Sequence, residues 1–189
     1  FEAFLNEIID FSGLGSYISL PIKSYSEGMS ARLIFSIMTS SPHECLAIDE
    51  GFGTGDADFF DRAEERLKKA ESNVDEDLKF LMDDARAWIK FYKKDYNGAK
   101  AGFEKIIKAN EKAYGSYKGL AYISMEKKDF GKAAEHLTKS LNLNPYQPAS
   151  DYIFPVNKMQ KSGQWEKSKY ILELGQRIYP YSADIQFLL

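Results

Sequence analysis

Residues 80–189 repeat a pattern of residue types with a period of 34, and this period constrains the fold more than any other feature. The matching pairs are Asp95 and Asp129, Ala99 and Ala133, Phe103 and Leu137, and Asn110 and Asn144. A third copy follows one residue out of register, at Trp165, Ser168, Leu172 and Pro180. A period of this length predicts a unit of two helices and a turn, with small residues where the helices touch.

Ala, an aromatic residue or Leu, and Pro at these offsets resemble the tetratricopeptide repeat. The second copy matches best, at Tyr117, Leu120, Ala121, Ala133, Leu137 and Pro145. The resemblance implies repeats at 80–113, 114–147 and 149–182 and the start of a fourth at 183–189. Because each repeat must cover its apolar face with a neighbour, we predict an all-α tetratricopeptide-repeat superhelix over residues 71–189, with no β-strand over 80–182.

The register of the repeats separates packing positions from ligand-binding positions. We predict a packing role for Ala99, Phe103, Ala121, Ala133, Leu137, Ser168 and Leu172. In the tetratricopeptide family, ligands bind the concave face of each first helix. Carried over by register, those positions are Trp88, Tyr92, Lys118, Tyr122, Asn157 and Lys161. Exposed aromatic residues beside lysines suit a groove for a protein or peptide ligand, and the alternative is that the aromatic residues pack between repeats.

The first 70 residues follow a different pattern. Residues 45–50 (CLAIDE) form an apolar run that ends in two carboxylates, which predicts a buried strand with two acids at its ligand-binding end. Residues 25–29 (YSEGM) place Ser and Gly before an apolar helix at 31–40, where a helix N-terminus favours phosphate. Helices are also predicted from about 4 to 14 and from about 59 to 71, and the last of these also fits the second helix of a repeat.

These two segments and their surroundings resemble an ATP-binding cassette ATPase of the polysaccharide, O-antigen and teichoic-acid exporter type. Residues 21–33 (PIKSYSEGMSARL) resemble the signature motif, residues 45–50 the Walker B strand, and residues 51–59 (GFGTGDADF) the D-loop. The three motifs occur in the family's order and spacing. The resemblance implies that residues 1–70 are part of an α/β nucleotide-binding cassette and that the whole chain is mostly α.

The resemblance assigns a role to five residues. Ser26 and Gly28 would contact the γ-phosphate of ATP bound to a second cassette subunit. Asp49 would hold magnesium through water, Glu50 would be the general base, and Asp56 would be the D-loop acid. The alternatives are an ordinary helix cap at Ser26 and an acid pair at the end of a strand.

Two cassette elements are missing from the sequence. No G-x-x-x-x-G-K-[ST] motif occurs, and no histidine follows at the place of the family's switch histidine. We therefore expect the 189 residues to bind nucleotide at most very weakly and not to hydrolyse ATP alone, whereas the longer parent would use ATP and magnesium.

Two functions remain open from the sequence. The chain is either a fragment of an exporter's ATP-binding subunit with an added interaction domain, or a non-enzymatic repeat scaffold that carries an inactive cassette remnant. A phosphate-binding loop encoded about one hundred residues upstream would favour the first, and a start codon near Phe1 would favour the second.

Composition limits the partners and the compartment. The net charge is −3, with 12 acids and 6 bases in residues 1–70 against 16 acids and 19 bases in residues 71–189. This small net charge argues against nucleic acid as a partner, and no apolar stretch predicts membrane insertion. Cys45 is the one cysteine, which suits a reducing compartment. The resemblance to exporter ATPases implies that the parent is cytoplasmic and lies at the inner face of the cell membrane, with a second cassette subunit and a membrane permease as partners.

Overall fold

The computed structural model describes residues 2–40, 57–70 and 76–189, and every regular element among them is helical. The α-helices are α1 (Glu2–Ser12), α2 (Glu27–Ser40), α3 (Ala57–Ala70), α4 (Glu76–Tyr92), α5 (Tyr96–Ala109), α6 (Tyr114–Glu126), α7 (Phe130–Leu143), α8 (Ser150–Lys161), α9 (Trp165–Ile178) and α10 (Ala183–Leu188). Two short 3₁₀ turns, Gly15–Ser19 and Ile22–Ser24, lie between α1 and α2. The chain forms two compact units, Phe1–Gly102 and Phe103–Leu189.

The predicted mostly-α fold is confirmed. Helices α6 to α9 lie within the second and third predicted repeats and α5 lies within the first, whereas α4 begins at Glu76, four residues before the predicted start at residue 80. Helix α10 begins at the predicted start of the fourth repeat. Helices α1, α2 and α3 correspond to the three helices predicted in residues 1–70, although α2 begins four residues earlier than expected. The predicted strand at 45–48 lies outside the described residues. The boundary near residue 70, which separates two kinds of sequence, remains a prediction.

The turn inside each helix pair repeats with the sequence period. Lys94 and Lys128 have positive φ angles of 63° and 60°, and Gly163 has a φ of 82° at the corresponding place. Their spacing, 34 and then 35 residues, reproduces the one-residue shift of the third repeat. Only glycine adopts this left-handed conformation without a steric cost, so the first two turns carry a strain that the third avoids.

The recurring aspartates cap the second helix of a pair. Asp95 Oδ1 accepts a hydrogen bond from the Gly98 amide at 2.9 Å, and Asp129 Oδ1 accepts one from Lys132 at 3.2 Å. These bonds satisfy amides that the helix itself leaves unpaired. The hydrogen bond from the Lys132 amide, together with the Lys132 side chain, lowers the pKa of the Asp129 carboxyl below its ordinary value.

The core of the first unit is rich in aromatic residues. Helices α1 to α4 contribute Phe11, Phe35, Phe59, Phe60, Ala63, Leu67, Met82, Ala85, Ile89 and Tyr92. The Phe35 and Phe59 rings pack edge to face with centroids 5.6 Å apart, and Arg66 lies over the Phe11 ring at 3.8 Å. Helix α3 therefore packs on α4 through its apolar face, while its lysines and acids remain outside.

The core of the second unit depends on small residues beside large rings. A Cβ added at Gly119 would lie 2.3 Å from the Phe103 ring, and one added at Gly175 would lie 2.9 Å from the Tyr152 ring. Phe103 and Tyr152 are both fully buried. All seven predicted packing residues, including Ser168, are fully buried as well.

We expect Gly119→Ala to destabilise the protein by about 1–3 kcal/mol, because the new methyl group would collide with a ring that has no space to move. Gly131→Ala is the matched control, since its Cβ would come no closer than 3.7 Å to any neighbour. In a helix that change should be neutral or stabilise by up to about 1 kcal/mol. Urea unfolding measures both, and equal effects of the two changes would contradict the proposed close contact.

Lys128→Gly should stabilise the protein by roughly 0.5–1 kcal/mol, because it removes the left-handed strain at that turn. Lys127→Gly serves as the control, since Lys127 has a φ of −80° and gains nothing from glycine. The free energy of unfolding in urea should therefore rise for the first variant and fall for the second. A fall in both would show that the turn at Lys128 is not strained.

Candidate functional site

The described part of the cassette-like site is the N-terminus of α2. The Ser26 hydroxyl is exposed and accepts a hydrogen bond from the Met29 amide at 3.3 Å, which is the geometry of a helix cap. Gly28 is buried in the first turn. A cap and a phosphate-binding end use the same free amides, so the contact of Ser26 and Gly28 with ATP remains a prediction. The predicted metal ligand Asp49, the base Glu50 and the D-loop residue Asp56 lie outside the described residues.

The aromatic residues predicted for a groove on α4 pack within the first unit instead. Trp88 is only 4% exposed, and its ring lies 5.9 Å from that of Tyr92. Tyr92 in turn stacks on Phe60 of α3, with centroids 5.7 Å apart. The prediction that Trp88 is exposed is wrong, because neighbouring aromatic rings enclose it. This is the packing alternative that the sequence left open.

Lys118 is the second predicted groove residue that the structure buries. Its side chain is 2% exposed, and its Nζ lies 2.8 Å from Oδ2 of Asp151, whose side chain is 8% exposed. Tyr122, one turn further along α6, donates its hydroxyl to Asp151 Oδ1 at 3.3 Å. The structure thus brings two predicted residues together on a carboxylate at the start of α8. We call Lys118, Tyr122 and Asp151 the buried ionic cluster.

Sequence reasoning missed Asp151. The available signal was that Asp151 directly precedes the apolar run of residues 152–156 (YIFPV). Charged residues are almost never fully buried unless they are paired, and the required partner is the lysine of the preceding repeat. Tyr152 itself is buried, which raises its pKa to about 12, and its hydroxyl donates to the Pro145 carbonyl.

Asn157 and Lys161 are exposed on α8, as predicted positions of a groove would be. They lie one turn apart on the same side of the helix. Phe154, 53% exposed, and the half-buried Lys158 share that side. The Lys158 Nζ lies 4.8 Å from the centre of the Phe154 ring and 3.3 Å from Glu126 Oε1 of α6.

The described ranges contain neither a cluster of metal-binding side chains nor a membrane-spanning helix. Residues 2–40, 57–70 and 76–189 contain no group of three or more His, Cys, Asp or Glu side chains placed to hold a metal ion. Within the same ranges, no helix has the length and apolar character needed to cross a membrane.

The chain is similar to ATP-binding proteins of polysaccharide exporters over part of its length. It is 50% identical over 62 residues to the O-antigen export system ATP-binding protein RfbE of Yersinia enterocolitica, covering 33% of this chain and 26% of RfbE. It is 28% identical over 154 residues to the teichoic acids export ATP-binding protein TagH of Levilactobacillus brevis, covering 77% of this chain and 41% of TagH. The chain therefore spans less than half the length of these curated relatives. No family model matches it.

The fold is similar to that of a solved structure outside the exporter ATP-binding proteins. The crystal structure of PilW, a widely conserved type IV pilus biogenesis factor, superimposes with a TM-score of 0.57 at 14% identity, covering 96% of this chain and 80% of PilW. PilW has a tetratricopeptide fold. The two resemblances drawn from the sequence, to exporter ATP-binding proteins over a partial segment and to tetratricopeptide repeats, are both confirmed.

The buried ionic cluster should contribute to stability in a different way from a surface ion pair. Lys118→Met or Asp151→Leu alone should cost about 3–5 kcal/mol, because each leaves the other charge buried without its partner. The double variant should lose less than the sum of the two, since an apolar pair needs no compensation.

Glu126→Gln is the control for this cycle, because it breaks the exposed pair with Lys158 and should change stability by less than about 1 kcal/mol. Unfolding in urea at neutral pH measures all four variants. If the losses in the double variant simply add, Lys118 and Asp151 do not interact in the folded protein.

Proposed function

We propose that this chain is a fragment of the ATP-binding subunit of a polysaccharide exporter of the O-antigen or teichoic-acid type. In the parent protein, ATP binding and hydrolysis drive export of the glycan, and the helical repeats bind a partner protein. The observation that carries the proposal is the 50% identity to an O-antigen export ATP-binding protein over 62 residues. That length is close to the 70 residues in which the three cassette motifs occur in order.

The proposed nucleotide site needs two subunits. ATP held by the phosphate-binding loop of one cassette is closed over by Ser26 and Gly28 of the other, with the amides at the start of α2 directed at the γ-phosphate. Asp49 holds magnesium through a water molecule and Glu50 activates the attacking water, as the family mechanism implies. Asp56 crosses to the opposing subunit. The membrane permease is the partner that couples this cycle to transport at the inner face of the cell membrane.

The proposed role of the repeats is to bind a protein or peptide, such as an enzyme that builds or finishes the glycan. Tyr122, Asn157 and Lys161 are the groove residues in the second unit, and Tyr92 is half-buried in the first. Trp88 of the first unit and Lys118 of the second do not contact the ligand in this proposal, because both are buried.

A second candidate is a non-enzymatic interaction scaffold with an inactive cassette remnant. The observation that favours it is the packing of residues 1–70, whose described parts are helices that share one apolar core with α4. The fold likeness to PilW also extends over 96% of the chain. In this proposal, the motif residues serve only in packing and helix capping, and the repeats have the protein-binding function.

The two candidates are separated by nucleotide turnover in the chain extended by its upstream coding sequence. The first predicts ATP hydrolysis by the extended protein and none by residues 1–189, since phosphoryl transfer depends on positioning that the phosphate-binding loop supplies. In the extended protein, Glu50→Gln should abolish turnover and leave ATP bound. Glu65→Gln, on the exposed side of α3, is the matched control and should turn over normally. Unchanged hydrolysis in Glu50→Gln would contradict the role of Glu50, and an extended protein that neither binds nor hydrolyses ATP would favour the scaffold.

A further inference from the structure

Lysines are concentrated at one edge of the second unit. We call this the lysine edge and define it as residues 126–135 and 158–169, which include the turn before α7 and the turn before α9. The lysine edge has seven lysines against four acids, whereas the rest of residues 103–189 has six basic residues against five acids. Three of the four net positive charges of the second unit therefore lie at this edge.

The two turns of the lysine edge lie side by side. Lys167, near the start of α9, has its Nζ 3.5 Å from the Gly131 carbonyl oxygen and 3.7 Å from Glu135 Oε1. At the ends of α6 and α8, the Lys158 Nζ lies 3.3 Å from Glu126 Oε1. Charges this close act together, because the Debye length is about 10 Å in 0.1 M salt. The lysines of both turns therefore form one positive surface.

The acids of the lysine edge do not neutralise it. Lys132 pairs with Asp129 and Lys167 pairs with Glu135, yet both lysine side chains remain exposed. Exposed ion pairs of this kind contribute little, so their ammonium groups stay hydrated and accessible. Lys128, in the turn before α7, is exposed as well. A larger anionic surface can therefore attract these lysines without breaking a strong contact.

Trp165 adds an apolar side chain that the core does not enclose. It is the first residue of α9, and Phe130 holds the corresponding place at the start of α7. Phe130 packs against the core of the second unit, whereas Trp165 is 61% exposed. The indole ring is apolar with one polar N–H, and such side chains are enriched at the interface between a membrane and water. Lysines around an exposed tryptophan are suited to an anionic membrane surface.

We propose that the lysine edge binds the surface of an anionic phospholipid bilayer. The lysines lie at the headgroup phosphates, and the Trp165 ring enters the interface. Nucleic acid fits less well, because its recognition favours arginine and several stacked aromatic residues in a groove. The lysine edge has no arginine and a single exposed aromatic residue. The proposal requires neither the nucleotide site nor the protein ligand proposed above.

The test uses the whole 189-residue chain and vesicles of phosphatidylcholine, with or without an equal part of phosphatidylglycerol. At low salt the chain should co-sediment with the anionic vesicles about tenfold more strongly than with the neutral ones. It should be released in about 1 M salt, where the Debye length falls to about 3 Å. Trp88 is buried and Trp165 is exposed, so binding should shift the tryptophan emission to shorter wavelength. Trp165→Phe should remove that shift.

Two matched double variants locate the contact. Lys128→Asn with Lys169→Gln should weaken binding to anionic vesicles about tenfold or more, because each lysine near such a surface contributes about fivefold. Asparagine tolerates the positive φ at position 128. Lys108→Gln with Lys112→Asn is the control, since it removes the same charge near the start of α6, about 20 Å from the turn that follows that helix. The control should change binding less than about twofold.

The proposal is wrong if the chain binds neither kind of vesicle, or binds both equally. An equal loss of binding in the two double variants would assign the attraction to total charge rather than to the lysine edge. An emission shift that persists in Trp165→Phe would place the contact at Trp88. Release from the vesicles by single-stranded DNA of equal charge would indicate a nucleic-acid site, and release by millimolar inorganic phosphate a small-anion site. Vesicle binding is measured without nucleotide, so its failure leaves the proposed function standing.

Discussion

Close contact between helices, made possible by a small residue against a large ring, is the constraint on which the repeat architecture depends. Gly119 against Phe103 and Gly175 against Tyr152 leave no space for even one methyl group. Where two helices approach this closely, the aromatic ring between them is enclosed and its whole apolar surface is removed from water. A helix pair of this size cannot cover such rings alone, so the ends of each repeat depend on neighbours.

The sequence predicted the fold well because this constraint recurs in the chain. Ala99, Ala133 and Ser168 hold equivalent places, and each is fully buried. Asp95 and Asp129 recur because each caps a helix, and the left-handed turns before them shift by one residue where the sequence does. Local chemistry of this kind depends on residue type and spacing, both of which can be read directly from the sequence.

The exposure of individual side chains was harder to predict. The register of the repeats indicates which way a side chain points, but it does not indicate which neighbouring side chains contact it. Trp88 occupies a position that faces outward in the family, yet Tyr92 and other rings of the first unit enclose it. Lys118 is buried because a residue 33 positions later, Asp151, supplies its counter-charge. The cassette motifs show the same limit, since Ser26 caps α2 in a way that fits either a phosphate site or a plain helix. Sequence similarity to RfbE over 62 residues does not by itself determine what residues 1–70 pack against.

The buried ionic cluster also makes the order of the repeats matter. The residue that corresponds to Asp151 in the second repeat is Ser116, which is buried but carries no charge. A gene duplication that placed a second copy of residues 114–147 after the first would set Ser116 against Lys118 and leave an ammonium group buried without a counter-ion. The third repeat has Ile153 where the second has Lys118, so the requirement for a carboxylate ends there. The repeats are therefore not interchangeable. During evolution, a further repeat would have been easier to insert after the third repeat than between the second and the third.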